Sequence, residues 1–209
     1  MIKTVREDGL WVTIDAMADW REFVEATRGR NPIPLLVKAV ALLGDVRGEA
    51  VDLGCGAGTD AKYLAENGFQ VTAVDISESA VKQTKVNCAG LSVVVIQTDI
   101  AKFSIAPDKY NLIMIWNTLP FLKKEDARQV LINIRHGLKS GGLLVFGVFG
   151  PEDDWAKDHS GMSFWTEAEL KELLPGMEFV ELVESKKEGP AAVGGNKFWH
   201  KIQGIVKKL

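Results

Sequence analysis

The chain has 209 residues, of which 46% are hydrophobic and 25% are charged. This length suits one domain with its own core, and the composition is globular rather than disordered or fibrous. With 25 Lys and Arg against 28 Asp and Glu, the formal net charge is −3. No bulk positive field would therefore attract nucleic acid or an anionic membrane, and we expect neither as a partner.

The cysteines and histidines exclude several kinds of site. Cys55 and Cys88 form no CxxC pair, and the three histidines show no HxxxH or HxH spacing. We therefore expect neither a disulfide framework nor a metal site. The first residues carry charges where a signal peptide needs an apolar run, and no apolar stretch approaches the roughly 20 residues that span a bilayer. These patterns predict a cytoplasmic protein.

In chain order, helical spacing of apolar residues predicts a helix over 15–27, and a second helix is expected from Pro34 to Gly44. Short apolar strands then alternate with helices. The predicted strands are 50–53, 71–74, 91–97, 112–115, 143–148, 178–186 and 198–206. The predicted helices are 59–67, one capped by Ser77, 125–138 and 166–174.

This alternation predicts an α/β fold, a doubly wound and mostly parallel Rossmann-like sheet of seven strands with helices on both faces. The β-branched run in 91–97 is typical of a strand covered on both faces. A loop at 187–197 suits an antiparallel arrangement of the last strand. We expect a single domain over 1–209, with an N-terminal helical cap over 1–44 and a core over 45–209.

The clearest motif is the glycine-rich loop DLGCGAGT at 52–59, which follows a strand and opens a helix. Glycines let the backbone turn tightly and approach a ligand closely. Asp75 ends the next strand, where an acid can hold both ribose hydroxyls of a nucleoside, and Asp99 ends the third. Because ligands of open α/β sheets bind outside the carboxyl ends of the strands, we expect these groups to share one crevice.

The details of the loop distinguish between nucleotide classes. It reads GxGxG rather than the GxGxxG of dinucleotide folds, and no GxxxxGK[ST] phosphate loop occurs. Asp52 would repel a pyrophosphate but suits a positively charged amine. A nicotinamide-dependent oxidoreductase is therefore disfavoured, although it stays an alternative, as does a non-catalytic module that binds a cofactor.

The motifs DLGCGAG, VTAVDIS and TDI, followed by YNLIMIWNTLPFL and LKSGGLLVFGVFG, resemble the class I S-adenosylmethionine-dependent methyltransferases from about Ala50 to Phe149. The resemblance implies S-adenosyl-L-methionine as cofactor and S-adenosyl-L-homocysteine as product. It implies that the glycine loop contacts the methionine part, that Asp75 holds the ribose, and that the ends of the next strands meet the adenine and the methyl group. The implied cofactor-binding residues are Asp52, Gly54, Cys55, Gly56, Asp75, Ile76, Asp99, Ile100 and Trp116.

The segments FGPEDDW, MSF and KFWH are similar to the tellurite-resistance-type branch of that family. The similarity implies a small-molecule acceptor such as a thiol or a chalcogen oxyanion. The chain departs from the branch at Phe198, where a histidine is expected, and from the family at Asn111, where Asp is more frequent. The sequence does not distinguish a monomer from a homodimer.

No residue is identified as a general base. Histidine is a frequent general base, which makes His159 and His200 candidates, but each lacks a carboxylate at a fixed spacing, and His200 also fits a buried structural role. Arg28 and Arg30 could bind an anionic acceptor or form a solvated helix end. Methyl transfer is an in-line displacement that depends on positioning and exclusion of water, and a thiolate or oxyanion needs no dedicated base.

Aromatic residues surround the expected acceptor site. Trp155, Phe164 and Trp165 could form its wall or serve as ordinary packing. The run from Asn117 to Phe121 resembles the Asn-Pro-Pro-Tyr pocket of enzymes that methylate base amines, or is a simple helix-entry turn. The N-terminal helix and the loop near 150–165 carry tryptophans, and we expect both to act as lids that become ordered when the cofactor binds.

Overall fold

A computed structural model describes residues 3–5, 11–13, 20–158 and 161–209. His159, one of the candidate bases, lies outside these residues. Near the N-terminus, β1 (Lys3–Val5) and β2 (Trp11–Thr13) form a separate antiparallel pair. The helix predicted over 15–27 is described from Arg21 onward.

Seven helices occur in the described residues, and all were predicted except the short one at Trp155–Asp158, which lies in the segment expected to be a lid loop. They are α1 (Arg21–Thr27), α2 (Pro34–Leu42), α3 (Thr59–Glu66), α4 (Glu78–Asn87), α5 (Lys124–Gly137), α6 (Trp155–Asp158) and α7 (Glu167–Leu173). Pro34 occupies the first position of α2, where its missing N–H has no helical partner to lose. The Ser77 side chain accepts a hydrogen bond from the Ala80 N–H at the start of α4. Thr166 and Glu169 cap α7 reciprocally.

Seven strands form the main sheet in the order β5-β4-β3-β6-β7-β9-β8. They are β3 (Glu49–Leu53), β4 (Gln70–Asp75), β5 (Val93–Gln97), β6 (Tyr110–Trp116), β7 (Leu138–Phe149), β8 (Met177–Pro190) and β9 (Asn196–Lys208). Strands β3 to β7 pair in parallel, and β9 runs antiparallel to both of its neighbours. The predicted mostly parallel sheet with an antiparallel last strand is therefore confirmed.

Two details of the sheet differ from the prediction. Strand β5 is an edge strand, and Val94 is 63% exposed, so its β-branched run does not mark a strand covered on both faces. The β8–β9 ladder extends to Pro190 and Asn196, so the connecting loop is 191–195 rather than 187–197. Polar and glycine residues in that segment hid the continued pairing, because a hairpin outside the core needs no apolar alternation.

The central strand β6 shows how the core is divided. Ile113 and Ile115 point to the face covered by α5 and α7, whereas Leu112 and Met114 point to the face covered by α2 and α3. This alternation follows from the two-residue repeat of a strand. The strand order runs outward from β3 to β5 on one side and from β6 to β7 on the other. The carboxyl ends of β3, β4 and β6 therefore lie next to one another at this switch point.

The described part of the chain contains no helix with the length and apolar character needed to cross a bilayer. In the same residues, no three His, Cys, Asp or Glu side chains gather as metal ligands would.

Candidate active site

The loop between β3 and α3 is built from glycines that no other residue could replace without strain. Gly54, Gly56 and Gly58 have φ angles of +79°, +53° and +79°, in the left-handed region that favours glycine. A Cβ on Gly54 would lie 2.1 Å from the Thr118 hydroxyl oxygen, and one on Gly58 would lie 2.9 Å from the Thr84 Cα. The loop therefore brings its backbone close to both neighbouring segments.

Hydrogen bonds from β4 and α4 hold this loop in place. The N–H groups of Gly54 and Cys55 both donate to the Val74 carbonyl of β4, at 2.7 and 3.0 Å. From α4, the Thr84 hydroxyl donates to the Gly56 carbonyl at 3.0 Å. The Asn87 amide, also from α4, donates to the carbonyl of the next loop residue at 2.6 Å. Neither α4 residue was predicted from the sequence, because nothing in a helix motif marks which side chains will reach a loop.

Asp75 connects the glycine loop to the end of β4. One carboxylate oxygen accepts the Gly56 N–H at 2.9 Å, and the other accepts the Ser77 N–H at 2.9 Å. Burial raises the pKa of Asp75, while these backbone donors oppose the shift. Its oxygens have further lone pairs for ligand hydroxyls. Ile76 beside it is 59% exposed, which offers an apolar surface next to that carboxylate.

Asp52 is the most unusual charged group in the crevice. Its side chain lies at the end of β3, only 2% exposed, and its Oδ2 has no hydrogen-bond partner in the described structure. Burial raises its pKa well above the ordinary value, the nearby Asp60 adds to the shift, and Arg30 opposes it. Buried carboxylate oxygens rarely lack a donor, so this atom indicates a place for a positively charged ligand group.

The other predicted residues at this end take varied positions. Cys55 is buried, with its sulfur 3.5 Å from the Thr84 hydroxyl, and burial raises the pKa of its thiol, so its side chain serves packing. Asp99 accepts the Ala101 N–H at 2.9 Å within a local turn. Ile100 is buried in the core. The side chains of Cys55 and Ile100 are therefore buried away from the crevice, whereas the Asp99 carboxylate is partly exposed.

Trp116 and the residue after it lie at the carboxyl end of β6. The indole of Trp116 is half-buried and packs over Gly147 of β7, where a Cβ would come within 3.2 Å of the ring. Asn117 follows in the left-handed conformation, with φ of +53°. Leu119–Phe121 then forms a short 3-10 turn rather than the two-proline pocket of base-amine enzymes.

The segment before α2 is fixed to the start of α3. The Arg30 guanidinium binds the Asp60 carboxylate, which also accepts the Ile33 N–H at 2.9 Å. Asp60 is buried, so this pair is a structural link. Arg30, a candidate for binding an anionic acceptor, is thus committed to anchoring its own segment.

Helix α1 lies over the glycine loop. Val24 packs with Ala57 of the loop and Ala80 of α4. Phe23 is close enough that a Cβ on Gly56 would lie 3.8 Å from its ring. The amphipathic spacing of the predicted helix was the only sequence signal for this contact, and it does not reveal what the helix covers.

An aromatic cluster continues from α1 along the ends of β6 and β7. The ring centroids of Trp20 and Phe121 are 4.9 Å apart, those of Phe121 and Trp155 are 6.0 Å apart, and those of Phe149 and Trp155 are 5.5 Å apart. Phe164 is half-buried and packs against this cluster. Trp165, also predicted as a wall residue, instead lies fully buried in the main core, because its N–H finds a partner in the Ser163 hydroxyl.

The loop after β7 is attached to β9 through buried polar groups. Asp153 accepts hydrogen bonds from the Lys197 ammonium, the Trp155 N–H and the His200 N–H. The His200 ring accepts from the Glu152 N–H through Nδ1 and donates from Nε2 to Glu184 at 2.7 Å. Both ring nitrogens have partners, so His200 is placed as a structural residue rather than as a base.

Residues 50–142 match the family described as "Methyltransferase domain". This part, slightly less than half of the chain, resembles a methyltransferase domain. Its resemblance to class I S-adenosylmethionine-dependent methyltransferases is thereby confirmed, and the cofactor of such domains is S-adenosylmethionine. The residues found here fit that cofactor, because the unpartnered Asp52 oxygen suits its ammonium group and Asp75 suits its ribose.

Two curated proteins resemble the methyltransferase domain. YqeM of Bacillus subtilis is 31% identical over 106 residues, which are 49% of this chain and 42% of YqeM. A carboxy-S-adenosyl-L-methionine synthase of Vibrio campbellii is 28% identical over 154 residues, which are 66% of this chain and 62% of the synthase. The chain thus spans only part of the length of these relatives.

Solved structures of low sequence identity share the fold. TehB from Haemophilus influenzae superposes with a TM-score of 0.71 at 22% identity, covering 83% of this chain and 61% of TehB. The N-methyltransferase NodS from Bradyrhizobium japonicum, solved with S-adenosyl-L-homocysteine, gives a TM-score of 0.62 at 21% identity. That match covers 90% of this chain and 98% of NodS.

Proposed function

We propose that the protein is an S-adenosylmethionine-dependent methyltransferase that acts on a small-molecule acceptor. The observation that carries this proposal is the pairing of Asp52 and Asp75 around the glycine loop of a methyltransferase domain. One oxygen of the Asp52 carboxylate lacks a donor, and the Asp75 carboxylate holds the loop; together they match the two polar ends of the cofactor.

Each residue of the crevice has a role that follows from its position. Asp52 binds the ammonium group of the methionine part, since its buried oxygen has no protein donor. Asp75 accepts hydrogen bonds from the ribose hydroxyls while it holds Gly56 in place. Ile76 lies against the adenine, with Asp99 and Ile100 at its edge. Gly54, Cys55 and Gly56 bring the backbone close, and Trp116 bounds the reacting end.

The bound cofactor supplies a methyl group activated on a sulfonium. The chain's own residues then have to hold the acceptor in line and exclude water, which can lower a barrier by roughly 7–11 kcal/mol. Helix α1 lies over the glycine loop, and the loop after β7 leads to Trp155 beside Phe121, so both are suited to this task. That they become ordered on cofactor binding stays a prediction.

The acceptor that fits best is one that is nucleophilic without a protein base to deprotonate it. His200 uses both ring nitrogens in structural hydrogen bonds, so it does not offer a base. A thiol that ionises near neutrality needs no proton removal by the protein. A thiol is therefore the acceptor class that fits best, and a chalcogen oxyanion is the second.

The test of cofactor binding is calorimetric titration with S-adenosylmethionine, S-adenosylhomocysteine and NADH. We expect micromolar binding of the first two and a loss of about 100-fold in Asp75→Ala, because hydrogen bonds to a charged group contribute about 1.5–3 kcal/mol each. The matched control is Glu78→Gln. Glu78 is an exposed acid three residues after Asp75, and it pairs with Lys82. Tight NADH binding, or no binding of S-adenosylmethionine, would overturn the proposal.

A second function is favoured by how much of the chain some relatives match. A carboxy-S-adenosyl-L-methionine synthase of Vibrio cholerae matches 78% of this chain and 75% of its own length at 25% identity. An activity of that class would replace a proton of the cofactor's S-methyl group with a carboxyl group supplied by a second substrate, instead of transferring the methyl group to an acceptor. Mass spectrometry of the cofactor after turnover distinguishes the two, since the methyltransferase releases S-adenosylhomocysteine and the synthase a heavier sulfonium.

A further inference from the structure

Two buried carboxylates, those of Asp52 and Asp60, are brought together where β3 passes into α3. Asp52 lies near the end of β3, and Asp60 belongs to the first turn of α3. The Asp52 carboxylate accepts a hydrogen bond from the backbone of Ala61, the residue after Asp60. Because like charges in one buried site disfavour each other, both groups can stay ionised only if a cation lies beside them.

Arg30 supplies that cation from the segment between α1 and α2. Its guanidinium binds both oxygens of the Asp60 carboxylate, and the Ile33 N–H donates to the same group at 2.9 Å. Both Asp60 oxygens are thus paired, whereas Asp52 Oδ2 has no donor in the described structure. Of the two carboxylates, Asp52 is therefore the one with an oxygen left for a ligand.

The other titratable groups that face Asp52 carry no positive charge. They come from the glycine loop, β4 and α4, and are Cys55, Asp75 and Cys88. Burial raises the pKa of Asp52 most, Asp60 raises it further, and Arg30 lowers it. Within the described residues, the negative charge of Asp52 thus depends on the guanidinium that neutralises its neighbour.

We propose that Arg30 is a positioning residue for cofactor binding: by neutralising Asp60, it lets the Asp52 carboxylate stay ionised and bind the ammonium group of the methionine part. This inference rests on the proposed methyltransferase function and deepens it. Arg30 acts through Asp60 rather than by contact with the ligand, because its guanidinium already has the two Asp60 oxygens as partners. The charge of the crevice therefore depends on docking of the segment that carries Arg30.

Such a role makes the effect of Arg30 on binding depend on pH. The ammonium group requires ionised Asp52, so affinity is present above the pKa of Asp52 and is lost as the pH falls through it. Without Arg30, Asp60 would raise that pKa further, and affinity would be lost at a higher pH. A residue that touched the ligand directly, or only held the fold, would change affinity by the same factor at every pH.

Calorimetry measures the dissociation constant of S-adenosylhomocysteine for Arg30→Met and for the wild type, from roughly pH 5 to 9. The ratio of the two constants cancels the titration of the ligand's own amino group. A nearby opposite charge shifts a carboxyl pKa by roughly one to three pH units, and the Arg30 side chain, at 32% exposed, suits the lower end of that range. We therefore expect a ratio of about 10 at the acidic end that falls to about one at the alkaline end. A ratio that does not change with pH would overturn the inference.

A second ligand separates the charge of Arg30 from its part in the fold. Methylthioadenosine contains the adenosine and the thioether of S-adenosylhomocysteine but has no amino acid. Its affinity should be the same in Arg30→Met and in the wild type at every pH. Equal weakening of both ligands would overturn the inference, since Arg30 would then only hold the crevice in shape.

Further variants test whether Arg30 acts through Asp60. Arg30→Met/Asp60→Asn removes both charges, and we expect it to recover the affinity that Arg30→Met loses; no recovery would overturn the inference. Arg30→Lys keeps the charge and should bind as the wild type does. Arg30→Gln keeps an N–H donor for Asp60 without the charge, so it should give the same pH-dependent ratio if Arg30→Met does not fold. Arg28→Met removes a like charge at an exposed residue of the same segment, and this matched control should leave the ratio at one.

The outcomes separate the two levels of proposal. If the wild type does not bind S-adenosylhomocysteine, the methyltransferase proposal fails and the role of Arg30 fails with it. If the wild type binds it and the ratio for Arg30→Met is independent of pH, the function stands and the role of Arg30 is wrong.

Discussion

The proposed cofactor crevice and the proposed acceptor end are built in different ways. The proposed crevice, around residues 52–59 and Asp75, is made mainly of backbone held by hydrogen bonds from neighbouring elements. The proposed acceptor end, around Phe121, Phe149 and Trp155, is made of rings and one buried ion pair between Asp153 and Lys197. The first is specified by local conformation, whereas the second depends on residues distant in sequence meeting in the folded state.

Because the two regions are built differently, substitutions should damage them in different ways. Local conformation tolerates few residue types, so damage to the crevice should remove cofactor binding. A buried ion pair fails when one partner remains alone, so damage to the acceptor end should appear first as a loss of stability.

The largest expected effect comes from Lys197→Met. This change leaves the Asp153 carboxylate buried without its ammonium, and removing one partner of a buried pair typically costs about 3–5 kcal/mol of folding free energy. Urea unfolding measures the loss. Calorimetry under folding conditions should show that affinity for S-adenosylmethionine is retained, because the crevice does not contain this pair.

The double variant Asp153→Asn/Lys197→Met sharpens this test. It removes both charges, but the introduced amide has a single carbonyl oxygen. The N–H groups of Trp155 and His200 donate to different oxygens of Asp153, so one of them loses its acceptor. We expect the double variant to recover part of the stability that the single variant loses, because no unpaired charge stays buried. A double variant as unstable as Lys197→Met would show that the lysine acts through its packing on the rings and not through the charge pair.

The next effect is expected at Gly58, with Gly90 as a matched control. Both have a φ of +79°, but a Cβ on Gly58 would meet the Thr84 backbone at 2.9 Å, whereas Gly90 has nothing within 4 Å. Gly90→Ala should therefore cost only the left-handed strain, about 1–2 kcal/mol. Gly58→Ala should cost about 1–3 kcal/mol more, since overpacking adds to the strain.

Calorimetry should also separate these two glycine variants. We expect only Gly58→Ala to weaken binding of S-adenosylmethionine, because the clash would displace the loop. If both variants lost equal stability and both bound the cofactor as the wild type does, the close approach of the loop to α4 would not matter for the crevice.

The contrast between the two regions also explains how far the sequence could predict them. The glycine loop and Asp75 were predictable because positive φ angles demand glycine and because strand ends meet at one edge of a parallel sheet. The sheet was predictable because β6 and β7 contain the unbroken apolar runs 112–116 and 143–146. Its edge was not, since the run in β5 looks the same whether or not a helix covers its second face.

The acceptor end was predictable only in part. The aromatic residues near Trp155 were noticed, but sequence alone did not show that Trp165 enters the core while Phe121 and Trp20 meet. The partners of Asp153 lie on β9, and no local pattern links a loop to a strand so far along the chain. Side-chain sites of this kind are fixed by tertiary packing, which periodicity does not report.

The smallest and most specific effect is expected from Asp52→Asn. Because burial raises the folded pKa of Asp52 above its unfolded value of about 3.9, the native state binds more protons than the unfolded state between the two values. The contribution of Asp52 to stability is therefore present below pH 4 and is lost as the pH rises through the folded pKa. Removing the charge should abolish that loss.

Unfolding free energies of the wild type and Asp52→Asn, measured across pH 4–8, should coincide at the acidic end and diverge as the pH rises. At neutral pH we expect the variant to be more stable by about 1 kcal/mol or more, since each unit of raised pKa corresponds to about 1.4 kcal/mol. Its affinity for S-adenosylmethionine should fall about 10-fold, because a charge-assisted hydrogen bond to the ammonium group is lost. A variant that gained stability and kept its affinity would show that the buried carboxylate does not bind the cofactor. A gain in stability together with a loss of affinity would show that the Asp52 charge destabilises the fold and is nevertheless needed to bind the ligand.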